Sequence, residues 1–239
     1  MSASQVLAPD RRLWVLRNFD LFKSLSAEEL TMLAHDSRLV EFGRNNHICM
    51  SGVKHTHAYL IKEGNVRIVS TNAQGKRLTV GILKPGELIG DIDLIENELA
   101  FGESAEAIGN CVLYAVPLET LKKLILSKPE MVFAVSKLVG ERRSQIINQM
   151  QDVLFLTVPQ RLAKLVQRLA KEFPGETKSG RQFVNIKLTH AELADLIGSN
   201  REAVSATIAK WKANGGPIDV VKGFIVIKDS AGLTEFAAA

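Results

Sequence analysis

Cysteine is scarce in this 239-residue chain, with Cys49 and Cys111 the only two. Two thiolates cannot supply the four ligands of an iron–sulfur cluster, so that cofactor is excluded on the count alone. Both lie among apolar, strand-like residues, which favours buried thiols in a reducing compartment over a disulfide. Long apolar runs are missing as well. No stretch approaches the ~18 residues that a membrane span needs, and Met1–Asp20 lacks a secretory pattern. A cytoplasmic chain with no membrane partner is therefore expected. Catalytic signatures are absent too: there is no P-loop, no His-Glu-x-x-His, no Gly-x-Ser-x-Gly and no paired-cysteine metal motif. An enzyme is not expected, and no metal ligand set is assigned. Internal repeats are lacking, and the one low-complexity tract is the terminal Ala-Ala-Ala.

What is present is an ordinary globular composition with an uneven charge. Lys and Arg number 30 against 26 Asp and Glu, a net of +4. Residues 1–159 are balanced at 18 of each sign, whereas residues 160–239 hold 12 basic against 8 acidic side chains. The whole excess sits in the last third, a distribution that suits phosphate binding. The length allows one or two domains.

Within that basic third, Leu188–Lys212 organises the chain. Thr189 and Glu192 have the spacing of a capping box, which starts a helix carrying Leu193, Leu196 and Ile197 on one side. Gly198 ends it, and Ser199 with Glu202 repeats the capping-box spacing at once, predicting a second helix with Val204, Ile208 and Trp211 as its apolar face. Asn200, Arg201, Glu202 and Ser205 are left to project outward. Two helices joined by so short a turn present the second one's N-terminal end, which fits the major groove of DNA, where Arg reads guanine and Glu accepts from cytosine. An ordinary helical hairpin in a core is the competing reading. Asn214–Pro217 then breaks the chain, and the β-rich runs Ile218–Val221 and Phe224–Lys228 flank Lys222-Gly223, predicting a hairpin where a winged helix-turn-helix carries its wing.

Upstream, Ser26 and Glu29 form another capping box ahead of Leu30 and Leu33, and Arg11–Phe19 has some helical character. From Arg38 the period turns to two. Leu39–Phe42, His47–Met50, His57–Ile61, Val66–Thr71, Leu78–Leu83 and Cys111–Val116 are short strand-like runs separated by turn residues, the pattern of a barrel or jelly roll. Leu118–Leu126 reads as a helix stopped near Pro129. Beyond it Val132, Val139, Ile146 and Val153 recur every seven residues, with Val135, Arg142, Gln149 and Leu156 between, as in a parallel two-stranded seam. Burial of that stripe against the chain's own β-domain is the alternative. Pro159 marks a boundary, Gln160–Phe173 a further helix, Pro174–Gly180 a loop and Phe183–Lys187 a strand.

The fold class that follows is α+β: a β-roll at residues 1–127 with an N-terminal helix, a dimerisation helix at 128–157, and a winged helix-turn-helix at 158–239. This arrangement, with the motifs FKSLSAEEL, AYLIKEGNVRIV, LKPGELIGDIDLI, FLTVPQRLAKLVQRLA and LTHAELADLIGSNREAVSATI, resembles the cyclic-AMP receptor protein/fumarate–nitrate reductase regulator (Crp/Fnr) family of bacterial transcription factors. The resemblance implies a homodimer on a roughly palindromic double-stranded site, with RNA polymerase as a further partner. It also implies base reading by Arg201 and Glu202, with Ser205 at a position some members use. A basic residue often follows one place later; here that place holds Ala206, so the half-site is expected to depart from the common consensus.

The effector half departs further from that family's pattern. In members that bind cyclic nucleotides, a loop carries an Arg-Ser/Thr-Ala triplet that neutralises the phosphate, and an acid after a glycine holds the ribose. Gly90 and Asp91 match the latter, with Glu87 nearby, but the triplet reads Glu103-Ser104-Ala105. A carboxylate facing a phosphate in a shielded pocket repels it. The dimer-helix positions that usually offer hydroxyls to the base hold Ile146 and Ile147. Cyclic AMP in its usual mode is therefore disfavoured, and the effector is left unassigned. The family's iron–sulfur members use cysteines near the N-terminus, and none precedes Cys49. Haem is disfavoured as well, since His47, His55 and His57 have no spacing that enforces ligation. A small anion at Arg142 or Arg143 and regulation by abundance alone are the other options, with solvated arginine as the plain reading of those side chains. A ligand-binding module whose helix-turn-helix serves protein contacts is the runner-up function; it would lack salt-dependent DNA binding.

Overall fold

The computed structural model describes residue 13 and residues 16–90, 103–178 and 180–238. The chain forms two compact units: residues 1–75 with 81–145, and residues 76–80 with 146–239. Asp91 lies outside the described residues, as do Arg11, Arg12, Trp14 and Val15 of the predicted N-terminal helical stretch.

In the first unit a 3-10 turn, Asp20–Phe22, precedes helix α1, Ala27–Asp36. The capping box forms: the Ser26 hydroxyl accepts from the Glu29 N–H at 3.2 Å, and the Glu29 carboxylate accepts from the Ser26 N–H at 2.7 Å. Eight strands follow, β1 Arg38–Phe42, β2 His47–Cys49, β3 His57–Glu63, β4 Val66–Thr71, β5 Arg77–Leu83 (of which residues 77–80 fall in the second unit), β6 Leu88–Ile89, β7 Glu103–Ala107 and β8 Cys111–Pro117. They make two four-stranded sheets, ordered β1-β8-β3-β6 and β2-β7-β4-β5. Period-two alternation sorts their side chains between two cores. Ile61, Cys111 and Leu113 join Ile48, Val66 and Ala105 in one. Ala58, Leu60, Tyr114 and Val116 turn the other way, onto the helices. Both cysteines are buried thiols with no disulfide between them. Burial pushes the Cys111 thiol up, and its sulfur donates to the Asn65 carbonyl at 3.2 Å.

Helix α2, Leu118–Ser127, leads into α3, Pro129–Phe155, a helix of 27 residues. Proline fits a helix start because its missing N–H would be unsatisfied there anyway. One seam assignment is corrected here. Val135 is 5% exposed and, with Met131, belongs to the core beneath α1 and α2, so it is not available to a second chain. Val139 packs against the same core. Val132 and Val153 are exposed, and Ile146 and Gln149 half-buried.

The second unit contains helix α4, Val158–Glu172, with Leu162, Ala163, Leu165, Val166, Leu169 and Ala170 buried. Each large apolar side chain buried contributes about 1.5–3 kcal/mol, which makes α4 the main support of this unit. Pro159 sits in its first turn, and Gln160 accepts from the Thr157 N–H at 2.7 Å. Then come β9 Pro174–Lys178, β10 Arg181–Lys187, α5 His190–Leu196, α6 Arg201–Ala213, β11 Ile218–Val221, β12 Phe224–Ile227 and α7 Ser230–Ala238. The sheet runs β11-β12-β10-β9. The predicted loop at Pro174–Gly180 is thus mostly a strand. Its proline is tolerated because β9 is an edge, and its Gly175 is required because a Cβ there would collide with the Phe183 carbonyl. The wing hairpin closes through Lys222 (φ 52°) and Gly223 (φ 83°), two left-handed residues as a two-residue hairpin turn demands.

Candidate nucleic-acid interface and effector region

The helix-turn-helix is built from short-range bonds. The Thr189 hydroxyl accepts from the Glu192 N–H at 3.2 Å while the Glu192 carboxylate accepts from the Thr189 N–H at 2.7 Å, so α5 begins where expected. The second cap differs from expectation. Ser199 does not cap α6: its N–H donates back to the Ala194 carbonyl at 3.0 Å, and the Asn200 side chain accepts from the Ala203 N–H at 2.8 Å. Gly198 (φ 60°) makes the reversal, and it displaces the helix start by one residue from the Ser-x-x-Glu spacing. Val204, Ile208 and Trp211 are buried. Arg201, Glu202 and Ala206 are exposed, and Ser205 is half-buried. Ser205 follows Glu202 by three residues and Arg201 by four, so the three share a helix face. Thr189, Ser199 and Asn200 cluster at the two helix starts.

Three further side chains, none of them legible from local spacing, fix this turn. Arg161 on α4 donates to the carbonyls of Ile197 at 2.7 Å and Gly198 at 3.2 Å. Gln149 on α3 donates to Leu196 at 2.8 Å and to Thr79 at 3.0 Å. These satisfy carbonyls that a helix end leaves without internal partners. The Gln149 amide, expected in a seam between chains, is thus engaged within its own. Nearby, Arg77 approaches Asp195 at 3.9 Å. The third is His190, whose Nδ1 lies 2.8 Å from the Ser205 hydroxyl.

The effector region is assembled differently. The Lys84–Glu87 turn is closed by the Glu87 carboxylate accepting from the Lys84 N–H at 2.8 Å, with Gly86 at φ 95° and Gly90 at φ 89°. Arg142 donates to the Leu88 carbonyl, which brings the α3 arginine to β6 and the Gly90 bend. Glu103-Ser104-Ala105 is the first part of β7, a strand on the opposite sheet. Ala105 is buried, and the Ser104 hydroxyl accepts from the Ser51 N–H at 3.2 Å. Beside it, Glu106 and Arg67 form a buried ion pair at 2.8 Å, with Asn45 accepting from Arg67 at 3.1 Å. His47 lies 3.7 Å from the same carboxylate, and His57 is bonded to Thr56 at 2.8 Å. Among the described residues no three acidic, His or Cys side chains gather as a metal site. No helix of the described residues is long and apolar enough to cross a membrane.

Comparison with known proteins agrees with both halves. Residues 39–128 match the cyclic nucleotide-binding domain and residues 160–236 the Crp-like helix-turn-helix domain. A CRP-like cAMP-activated global transcriptional regulator of Mycobacterium tuberculosis is 25% identical over 223 residues, 93% of this chain and 98% of the relative. The crystal structure of a CRP/FNR-family transcriptional regulator from Thermus thermophilus superposes with a TM-score of 0.69 at 26% identity, over 84% of this chain and 99% of that one. The c-di-GMP-responsive global regulator CLP of Xanthomonas campestris shares the fold, with a TM-score of 0.74 at 18% identity over 86% and 100% of the two chains. The chain belongs to the Crp/Fnr family: it is a non-enzymatic, DNA-binding transcriptional regulator with a cyclic nucleotide-binding domain followed by a Crp-like helix-turn-helix.

Proposed function

We propose that this regulator acts as a homodimer on a roughly palindromic operator, and that cyclic AMP does not switch it in the usual mode. In this reading residues 1–127 sense, 128–157 dimerise and 158–239 bind DNA, with RNA polymerase as the partner downstream. Arg201, Glu202 and Ser205 read base edges, while Thr189, Ser199 and Asn200 contact the backbone that positions them.

The dimer face is supported by exposed apolar side chains on α3. Phe133 is 76% exposed, Ile147 43%, Met150 59% and Leu154 71%. Phe133, Gly140, Ile147 and Leu154 are spaced by sevens, with Ser136, Arg143 and Met150 between. This is a seam one residue along from the Val132 series. A two-fold pair would set the two α6 helices about 34 Å apart, one turn of DNA.

The observation that carries the effector reading is Glu103, an acid on β7 at the place where the family's cyclic-nucleotide binders hold their phosphate with arginine. Relatives of this fold carry different signals in their names, a cAMP-activated protein and a c-di-GMP-responsive one among them, so the scaffold does not dictate the ligand. Fluorescence anisotropy against a selected DNA pool, with and without excess cyclic AMP, tests the proposal. Tight sequence-specific binding that cyclic AMP leaves unchanged is expected, and Glu103→Arg should raise cyclic AMP affinity about tenfold by removing a like-charge contact. Wild-type binding that appears only with cyclic AMP would overturn it.

A further inference from the structure

We propose that His190 is a specificity-determining residue that acts through Ser205. The inference rests on the reading above, in which Ser205 faces a base. His190 is the first residue of α5, and the Thr189–Glu192 capping box pins the backbone on either side of it. Its Nδ1 lies 2.8 Å from the Ser205 hydroxyl, 15 residues away on the reading helix. A serine or threonine inside a helix commonly turns its hydroxyl back to the carbonyl four residues earlier. Thr207 does so here, donating to Ala203 at 2.8 Å. Ser205, two residues before it, is instead bonded across to the other helix of the motif.

A hydroxyl has one proton and two acceptor positions, and a neutral imidazole nitrogen is either a donor or an acceptor. If Nδ1 carries the proton, it donates to the Ser205 oxygen. The serine proton is then left to donate to guanine N7 or O6, adenine N7 or thymine O4. If Nδ1 is bare, it takes the serine proton, and the oxygen can only accept, from the amino groups of cytosine or adenine. His190 therefore decides which bases Ser205 prefers without touching one. It is a positioning residue, set outside the reading helix.

The test is a scan of every base pair in one selected half-site, using the full-length protein. Wild type, Ser205→Ala, His190→Ala, His190→Asn and the double alanine variant are compared at one salt concentration. Ser205→Ala should flatten discrimination at a single base pair. His190→Ala should change discrimination at that same pair by about 3- to 10-fold, the worth of one hydrogen bond, and leave the pairs read by Arg201 and Glu202 alone. His190→Asn places a polar atom near the Nδ1 position and should restore much of the preference. The double variant should match Ser205→Ala. Uniform weakening on all sequences by His190→Ala would mark a phosphate contact and overturn the proposal, as would additive effects in the double variant. A wild type that discriminates no sequence would instead overturn the DNA-reading role beneath it. Matching thermal midpoints across the set exclude misfolding as the cause.

Discussion

The reading end and the sensing end of this chain are built on opposite plans. The candidate DNA-reading residues fall within 17 positions, Thr189 to Ser205, and their helices are set by hydrogen bonds spanning three residues. The effector region draws Glu87, Glu103 and Arg142 from a turn, a strand and a helix, and the Arg142–Leu88 bond spans 54 residues. The helix starts of the reading end are set by local bonds, although Arg161 and Gln149 hold its turn from farther along the chain. A site made by long-range packing can exchange a single side chain, as proposed for Glu103, while the strand that carries it stays in register with β4, Glu103 opposite Ser70 and Ala105 opposite Ile68.

The long helix offers the strongest way to break this contrast, because it serves both plans on different faces. Ile147→Glu with Leu154→Glu charges the proposed seam and leaves the core face intact. The expected result is a monomer by sedimentation equilibrium and a loss of 10²–10⁴-fold, on the order of an avidity term, for a palindromic site. Val135→Ala should do the reverse. It removes two buried methyl groups, costs about 2 kcal/mol of thermal or denaturant stability, and leaves association unchanged. If Val135→Ala dissociated the dimer and the double glutamate variant did not, the seam would follow the Val132 series.

Arg201→Ala sharpens the reading end. Loss of a base contact should cost about 1–3 kcal/mol on the selected site and relax a single base position. Random duplex of equal length should bind as before. Equal weakening of both, with the slope of affinity against log salt reduced by about one unit, would make Arg201 a phosphate contact instead.

How far the sequence can be read follows the same division. Thr189–Glu192 is a correct cap because the pattern and its bonds are both local. Ser199–Glu202 has the same spacing and fails, because the left-handed Gly198 draws the Ser199 N–H back to Ala194 and hands the cap to Asn200. The strand β9 is hidden by Pro174 and Gly175, turn-forming residues that an edge strand accommodates once β10 lies beside it. Glu103-Ser104-Ala105 is expected on a loop and lies on a strand, since its pairing partners sit more than 30 residues away. The heptad on α3 is legible only in part, because one of its members, Val135, is buried in the chain's own core. The helix has two apolar stripes, and periodicity alone cannot say which is buried in its own core.

Gln149 is the residue whose role depends most on the folded chain, and its substitution is the subtlest of these changes. Its amide bonds Thr79 on β5 and Leu196 at the end of α5 at once, so α3, β5 and the helix-turn-helix meet at one side chain within the second unit. Gln149→Leu keeps the bulk and removes the donor, leaving two carbonyls to find water or go without. The cost should be about 1–2 kcal/mol of stability, with little change in association, because the seam face is untouched. Hydrogen exchange is the sharper readout. The amides of Ile197 and Ser199 close the turn onto Leu193 and Ala194, and they should exchange faster in the variant while those of α1 do not. Arg161 still holds the Ile197 and Gly198 carbonyls, so the turn should loosen rather than unfold. Exchange that stays at the wild-type rate would mean that Arg161 alone sets the turn, and that the bond from the long helix is dispensable to the reading end.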